Sequence, residues 1–180
     1  MDISDRKILE DYKKQYPDIF EHGIVIDAGS RLMNGSVLEF LGDDAKEKFI
    51  GIDSFPAELD KTHIQYSGLT HTYPGNNIAD MTTCFNTFEH DFYWRLSMKK
   101  LIELLKPGGL FIFQLVLSGA EHGTELGEES YGELIDGKRY YKNMVKGKVE
   151  EVLKELPVEI IEYRKETVGR DFGYFVGTKI

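Results

Sequence analysis

Short apolar runs bounded by turn residues recur along the chain. They are I-V-I-D (24–27), F-I-G-I-D (49–53), H-I-Q-Y (63–66), M-T-T-C-F (81–85) and L-F-I-F-Q-L-V-L (110–117). Their apolar character is continuous rather than alternating, as in parallel strands covered on both faces. Helical spacing fills the gaps. Trp94, Met98, Leu101, Ile102 and Leu105 share one face of a helix predicted over 92–105, closed by K-P-G-G (106–109). Val149, Val152, Leu153 and Leu156 mark a second over 147–156, stopped at Pro157. Ile8, Leu9, Tyr12 and Tyr16 mark an opening helical segment within 1–22. Two further runs, V-E-I-I-E-Y (158–163) and F-G-Y-F-V-G-T (172–178), lie too close for a parallel crossover. They are therefore expected to be antiparallel to each other or adjacent at a mixed sheet edge. The pattern predicts an α/β, doubly wound, seven-stranded, mostly parallel sheet with an antiparallel last strand and helices on both faces.

At 180 residues this is the size of a single domain spanning 1–180. The segment 118–146 is too long for an ordinary connection and reads as an insertion or lid between the fifth strand and the last helix. With 22 Lys and Arg against 31 Asp and Glu, the net charge of −9 opposes a general electrostatic footprint for nucleic acid or anionic membrane. No apolar run is long enough to span a membrane. The single Cys84 excludes an intramolecular disulfide, and no cluster has metal-ligand spacing. These features predict a soluble, cytoplasmic protein without a metal.

The first predicted strand delivers Asp27 into a loop, A-G-S-R-L-M-N-G-S, followed by the capping-box spacing of Ser36 and Glu39. Ligands of open parallel sheets sit beyond the carboxyl ends of the strands, and this first loop is the usual floor of the site. Asp27, Ala28, Gly29 and Ser30 are therefore candidate ligand-binding residues, with Gly29 allowing close backbone approach. The second strand ends in Asp53, followed by Ser54, 24 residues beyond Gly29, where a carboxylate reaches the two hydroxyls of a ribose. Each feature has a plain structural alternative: a tight β-to-α connection for the glycine and a turn cap for the aspartate. Gly29 and Gly35 are six apart with Arg31, Leu32 and Met33 between them, which fits a pyrophosphate poorly. A nucleoside cofactor without phosphate, S-adenosylmethionine, fits this spacing better than a nicotinamide dinucleotide.

At these residues the chain resembles the class I S-adenosylmethionine-dependent methyltransferases. I-V-I-D-A-G-S (24–30), G-I-D (51–53), A-D-M-T-T-C-F-N-T-F-E-H (79–90) and L-L-K-P-G-G-L-F-I-F (104–113) stand in that family's order and spacing. The resemblance implies a Rossmann-like fold and S-adenosylmethionine as cofactor. It implies that Asp27 and Gly29 face the methionine portion, Asp53 holds the ribose, and the backbone around Asn86 accepts from the cofactor's ammonium. Asp80 is read as a structural residue opening its strand. Two departures stand out. No acid occurs between the third strand and Asp80, which assigns the adenine to the backbone at Gly68 and Leu69. Arg31 and Met33 correspond loosely to family glycines.

Methyl transfer from a sulfonium is a direct displacement, so an aligned acceptor supplies much of the acceleration. A general base is needed only for a weakly acidic acceptor, and His90, of the Glu89–His90 pair, is the candidate. His122, Tyr131 and Tyr140 are candidates for the acceptor side. There is no N-P-P-Y tetrapeptide after the fourth strand and no Pro-Cys nucleophile, so nucleic acid is disfavoured as acceptor. The expected function is methyl transfer to a small-molecule or sugar-containing acceptor. The alternative is a non-catalytic, methyltransferase-like binding or partner module whose cofactor loop is filled by Arg31 and Met33. The acceptor's identity and the oligomeric state are left open.

Overall fold

The computed structural model describes residues 3–30, 36–53, 64–66, 70–91, 93–118, 134–135, 138–139 and 144–180, with the short strand segments 64–66, 134–135 and 138–139 described by backbone alone. The chain begins with helices α1 (Ile3–Gln15) and α2 (Pro17–His22), then strand β1 (Val25–Ala28), helix α3 (Asp43–Glu47) and strands β2 (Ile50–Asp53), β3 (Ile64–Tyr66) and β4 (Ala79–Cys84). Helix α4 (Trp94–Leu104), strand β5 (Leu105–Val116), the short strands β6 (Leu134–Ile135) and β7 (Lys138–Arg139), helix α5 (Lys146–Lys154) and strands β8 (Val158–Val168) and β9 (Arg170–Lys179) complete it.

The seven predicted strands form one seven-stranded sheet in the order β3-β2-β1-β4-β5-β9-β8. The first five are parallel, and β9 runs antiparallel to both β5 and β8. The last strand in sequence thus wedges between the fifth strand and the edge strand. Alternate residues of β5 explain why its run is apolar throughout. Phe111, Phe113 and Leu115 pack with Trp94, Met98 and Leu101 of α4 and Val149 and Leu153 of α5. Leu110, Ile112 and Val116 point the other way, into a second core with Ile8, Leu9 and Tyr12 of α1, Phe20 of α2 and Ala45 of α3. Both faces of the sheet are covered, the condition that favours a parallel arrangement.

Several boundaries differ from the sequence pattern for identifiable reasons. K-P-G-G does end α4, yet it lies inside β5. Ala79 pairs with Leu105 and Met81 with Leu110, so the intervening residues bulge out of register, with Gly108 at φ +79°. The opening helical segment is two helices, because Pro17 occupies the first position of α2. Ser36 and Glu39 form the expected capping box: the Leu38 N–H donates to Ser36 Oγ at 3.1 Å and the Ser36 N–H to Glu39 Oε1 at 3.1 Å. It caps only a single 3₁₀ turn, Val37–Phe40. The β8–β9 connection shrinks to Gly169 at φ +72°, and β8 runs through R-K-E-T to Val168. Its charged, half-exposed residues suit an edge strand. Within the predicted 118–146 insertion, β6 and β7 pair antiparallel, and the rest of 119–143 lies outside the described residues. No helix among the described residues is long and apolar enough to cross a membrane.

Candidate functional site

The sheet winds from β1 outward through β2 to β3 on one side and from β4 to β5 on the other, so its order reverses between β1 and β4. Chain segments leaving the carboxyl ends of two such strands diverge and open a crevice between them. Asp27 and Ala28 end β1, Asp53 ends β2, and Asn86 follows β4, so the fold brings these sequence candidates to one edge.

Asp27 is buried, and its Oδ1 accepts from Thr83 Oγ1 at 2.6 Å. The bond follows from register, since Asp27 and Thr83 are cross-strand partners on β1 and β4. Burial pushes the Asp27 carboxyl up to about 7; the Thr83 hydroxyl pulls the other way, and the charge of Asp53 pushes in the same direction as burial. Asp53 is also buried, at the end of β2. The Ser30 hydroxyl is buried close to Asp27 but lies outside hydrogen-bond geometry to any described group.

Gly29 has φ +76°, and its N–H donates to the Ile52 carbonyl at 2.8 Å. The space beside its Cα is occupied by the Thr87 side chain, which a Cβ would strike. The close approach that Gly29 permits within the protein is therefore to the turn after β4. Thr87 Oγ1 donates to the Phe85 carbonyl at 2.8 Å and lies 3.4 Å from that of Ala28, pinning the two loops together.

Asn86 sits at φ +48°, a conformation asparagine tolerates better than most residues. Its N–H donates to Gln114 Oε1 at 2.7 Å, and its side-chain oxygen accepts from Arg170 Nη2 at 3.2 Å. His90 ends the 3₁₀ turn Phe88–His90, with its side chain about one-third exposed and Nε2 3.6 Å from Glu89 Oε1. Glu89 carries the stronger signal of the two. It is buried, burial pushes its carboxyl up to about 7, and Oε2 has no hydrogen-bond partner among the described residues.

Asp80 has the structural role expected of it: Oδ2 accepts from the Ile24 N–H at 2.8 Å and Oδ1 from Lys106 Nζ at 2.8 Å. Cys84 is a buried free thiol, consistent with a core residue. Ser54, Gly68, Leu69, His122, Tyr131 and Tyr140 lie outside the described residues, as do Arg31 and Met33. The sequence pattern missed Thr83 and Thr87 as participants and named Glu89 only as the neighbour paired with His90. Gln114 left a signal, as the one polar residue within the most apolar run of the chain.

No family model matches the chain, and no curated protein sequence matches it. Solved structures do match. The Burkholderia thailandensis 1,6-didemethyltoxoflavin-N1-methyltransferase, bound to 1,6-didemethyltoxoflavin and S-adenosylhomocysteine, superposes with a TM-score of 0.67 at 12% identity, over 98% of this chain and 80% of its own. The fold is that of the S-adenosylmethionine-dependent methyltransferases. Magnesium protoporphyrin IX methyltransferase from Synechocystis PCC 6803, bound to S-adenosylmethionine, has a TM-score of 0.60 at 8% identity, over 99% of this chain and 81% of its own. The cyclase SpnF, with a TM-score of 0.62 at 11% identity over 96% and 80% of the two chains, shares this methyltransferase fold under a different reaction name. The fold therefore does not by itself specify the chemistry.

Proposed function

We propose that the protein is an S-adenosylmethionine-dependent methyltransferase acting on a small-molecule or sugar-containing acceptor. The observation that carries this reading is the pair of buried carboxyls, Asp27 and Asp53, at the carboxyl ends of β1 and β2 beside the point where the sheet order reverses. A cation beside Asp27 favours its ionised form against the push of burial, and the vicinal hydroxyls of a ribose are donors that the strand-end carboxyl of Asp53 can accept. A ligand with a ribose diol and a cationic amino-acid end supplies both. When bound, such a cofactor supplies a methyl group on a sulfonium, ready for direct displacement by an acceptor atom.

The chain's own residues divide the remaining work. Asp53 takes the ribose hydroxyls, a paired contact in which its two carboxyl oxygens accept. Asp27, poised near neutrality by its burial, gains charge stabilisation when a cation arrives. Asn86 presents backbone to the ammonium. Glu89, buried and pushed up to about 7, joins His90 as a candidate for taking a proton from the acceptor. Support for a small acceptor comes from the net charge of −9 and from the toxoflavin and porphyrin methyltransferases among the structural neighbours.

Incubation with S-adenosylmethionine labelled on its methyl group and a pool of low-mass metabolites tests the activity. The wild-type protein is expected to move label into a low-mass product, and Asp53→Ala to abolish the transfer. Equal labelling by both proteins, or no label in any low-mass product, would refute the proposal.

A further inference from the structure

The N-terminal helix contributes a fully buried acid, Asp5, on the face of α1 that otherwise meets the core. Its Oδ1 accepts from Gln114 Nε2 at 2.6 Å and from the Tyr174 hydroxyl at 2.7 Å. The other end of the same glutamine amide accepts the Asn86 N–H at 2.7 Å, and Asn86 Nδ2 lies 3.5 Å from Asp5 Oδ2. Arg170 Nη2 donates to Asn86 Oδ1 at 3.2 Å. The left-handed turn at Asn86 is thus held from α1, β5 and β9 together.

The logic of the relay lies in donor and acceptor types. A glutamine amide can be turned either way round, and only one way accepts the Asn86 N–H. Asp5 Oδ1, which also takes the Tyr174 hydroxyl, presents an acceptor to Gln114, so it draws the amide nitrogen of Gln114 toward α1 and leaves the amide oxygen for Asn86. An apolar pair at these two places would pack more cheaply, because burying a carboxylate and an amide in a core gains little stability of its own. We infer that Asp5 is a positioning residue for the amino-acid end of the cofactor, acting through Gln114 to hold the Asn86 turn. This rests on the methyltransferase reading and assigns a binding function to the first helix.

Asp5→Asn is nearly isosteric but can donate, which frees the Gln114 amide to turn its nitrogen toward the Asn86 N–H. The test compares two ligands by calorimetry: S-adenosylhomocysteine, and 5′-methylthioadenosine, which keeps the nucleoside and lacks the ammonium and carboxylate. Asp5→Asn is expected to weaken S-adenosylhomocysteine by roughly tenfold, the scale of one lost charge-assisted hydrogen bond. Affinity for 5′-methylthioadenosine is expected to stay at the wild-type value. In the double variant Asp5→Asn/Gln114→Glu the new carboxylate accepts from both the new amide and the Asn86 N–H, and affinity for S-adenosylhomocysteine is expected to return. Gln114→Met cuts the relay at its other end and gives the same ligand-selective loss should Asp5→Asn not fold. Equal weakening of both ligands, or no weakening of either, overturns the role of Asp5 while leaving the cofactor reading intact. Failure of the wild-type protein to bind either ligand overturns the cofactor reading and this inference with it.

Discussion

Asp27 and Glu89 are carboxyls from which the fold has removed water, and both are pushed by burial up to about 7. Between about pH 4 and pH 7 each holds a proton in the folded chain that it has lost in the unfolded one. The unfolded state then binds fewer protons, so stability falls as pH rises through this window, by at most about 1.4 kcal/mol per pH unit for each group. Glu39, Asp44 and Asp171 shift the other way through surface hydrogen bonds, and their contribution is lost as pH falls below the ordinary carboxylate range. The ligand-free protein should therefore melt highest near pH 5 and progressively lower toward pH 7, levelling off above it. Asp27→Asn should flatten that decline. Thermal melts across this range check it, and a midpoint that climbs from pH 5 to pH 7 would contradict the assignment. Asp27 was legible in the sequence as a strand-end acid. Its protonation state was not, because the burial that raises it comes from elements far along the chain, among them β4, whose Thr83, 56 positions away, partly opposes the shift.

At the scale of elements, the sequence exposed what depends on local pattern. The strands buried on both faces, the amphipathic α4 and the capping box at Ser36 all write their geometry into neighbouring residues. What depends on partners far along the chain left weaker traces. The length of β8 was hidden because an edge strand needs no apolar face, and the Asp5 to Gln114 contact joins residues 109 positions apart. Asp80 shows the difference between structural and site acids. It ties the start of β4 to the chain entering β1 and, through Lys106, to the bulge of β5. Asp80→Ala should lower stability by about 1–3 kcal/mol, the cost of leaving the Ile24 N–H without its acceptor. It should leave affinity for S-adenosylhomocysteine unchanged, because Asp80 stands at the end of β4 opposite the site. Denaturant titration and ligand titration of the same variant read the two effects separately, and a selective loss of binding would move Asp80 into the site.

On the scale of the whole molecule, the sheet order decides where chemistry can occur. Reversal between β1 and β4 gathers Asp27, Asp53 and Asn86 from segments separated by dozens of residues, and three of the four motif blocks of the resemblance end at that edge. The agreement of motif order with the strand order made the fold legible before any coordinates. The acceptor side was not legible to the same degree, because its candidates His122, Tyr131 and Tyr140 belong to a segment without periodicity or a recognisable motif. The central claim is that this edge binds S-adenosylmethionine through the two strand-end acids. Calorimetric titration with S-adenosylhomocysteine, using NADH as the control ligand, tests it most directly. The wild-type protein is predicted to bind S-adenosylhomocysteine and not NADH, and Asp53→Ala to lose that binding while remaining folded. Absence of binding by the wild-type protein, or undiminished affinity in Asp53→Ala, would contradict it.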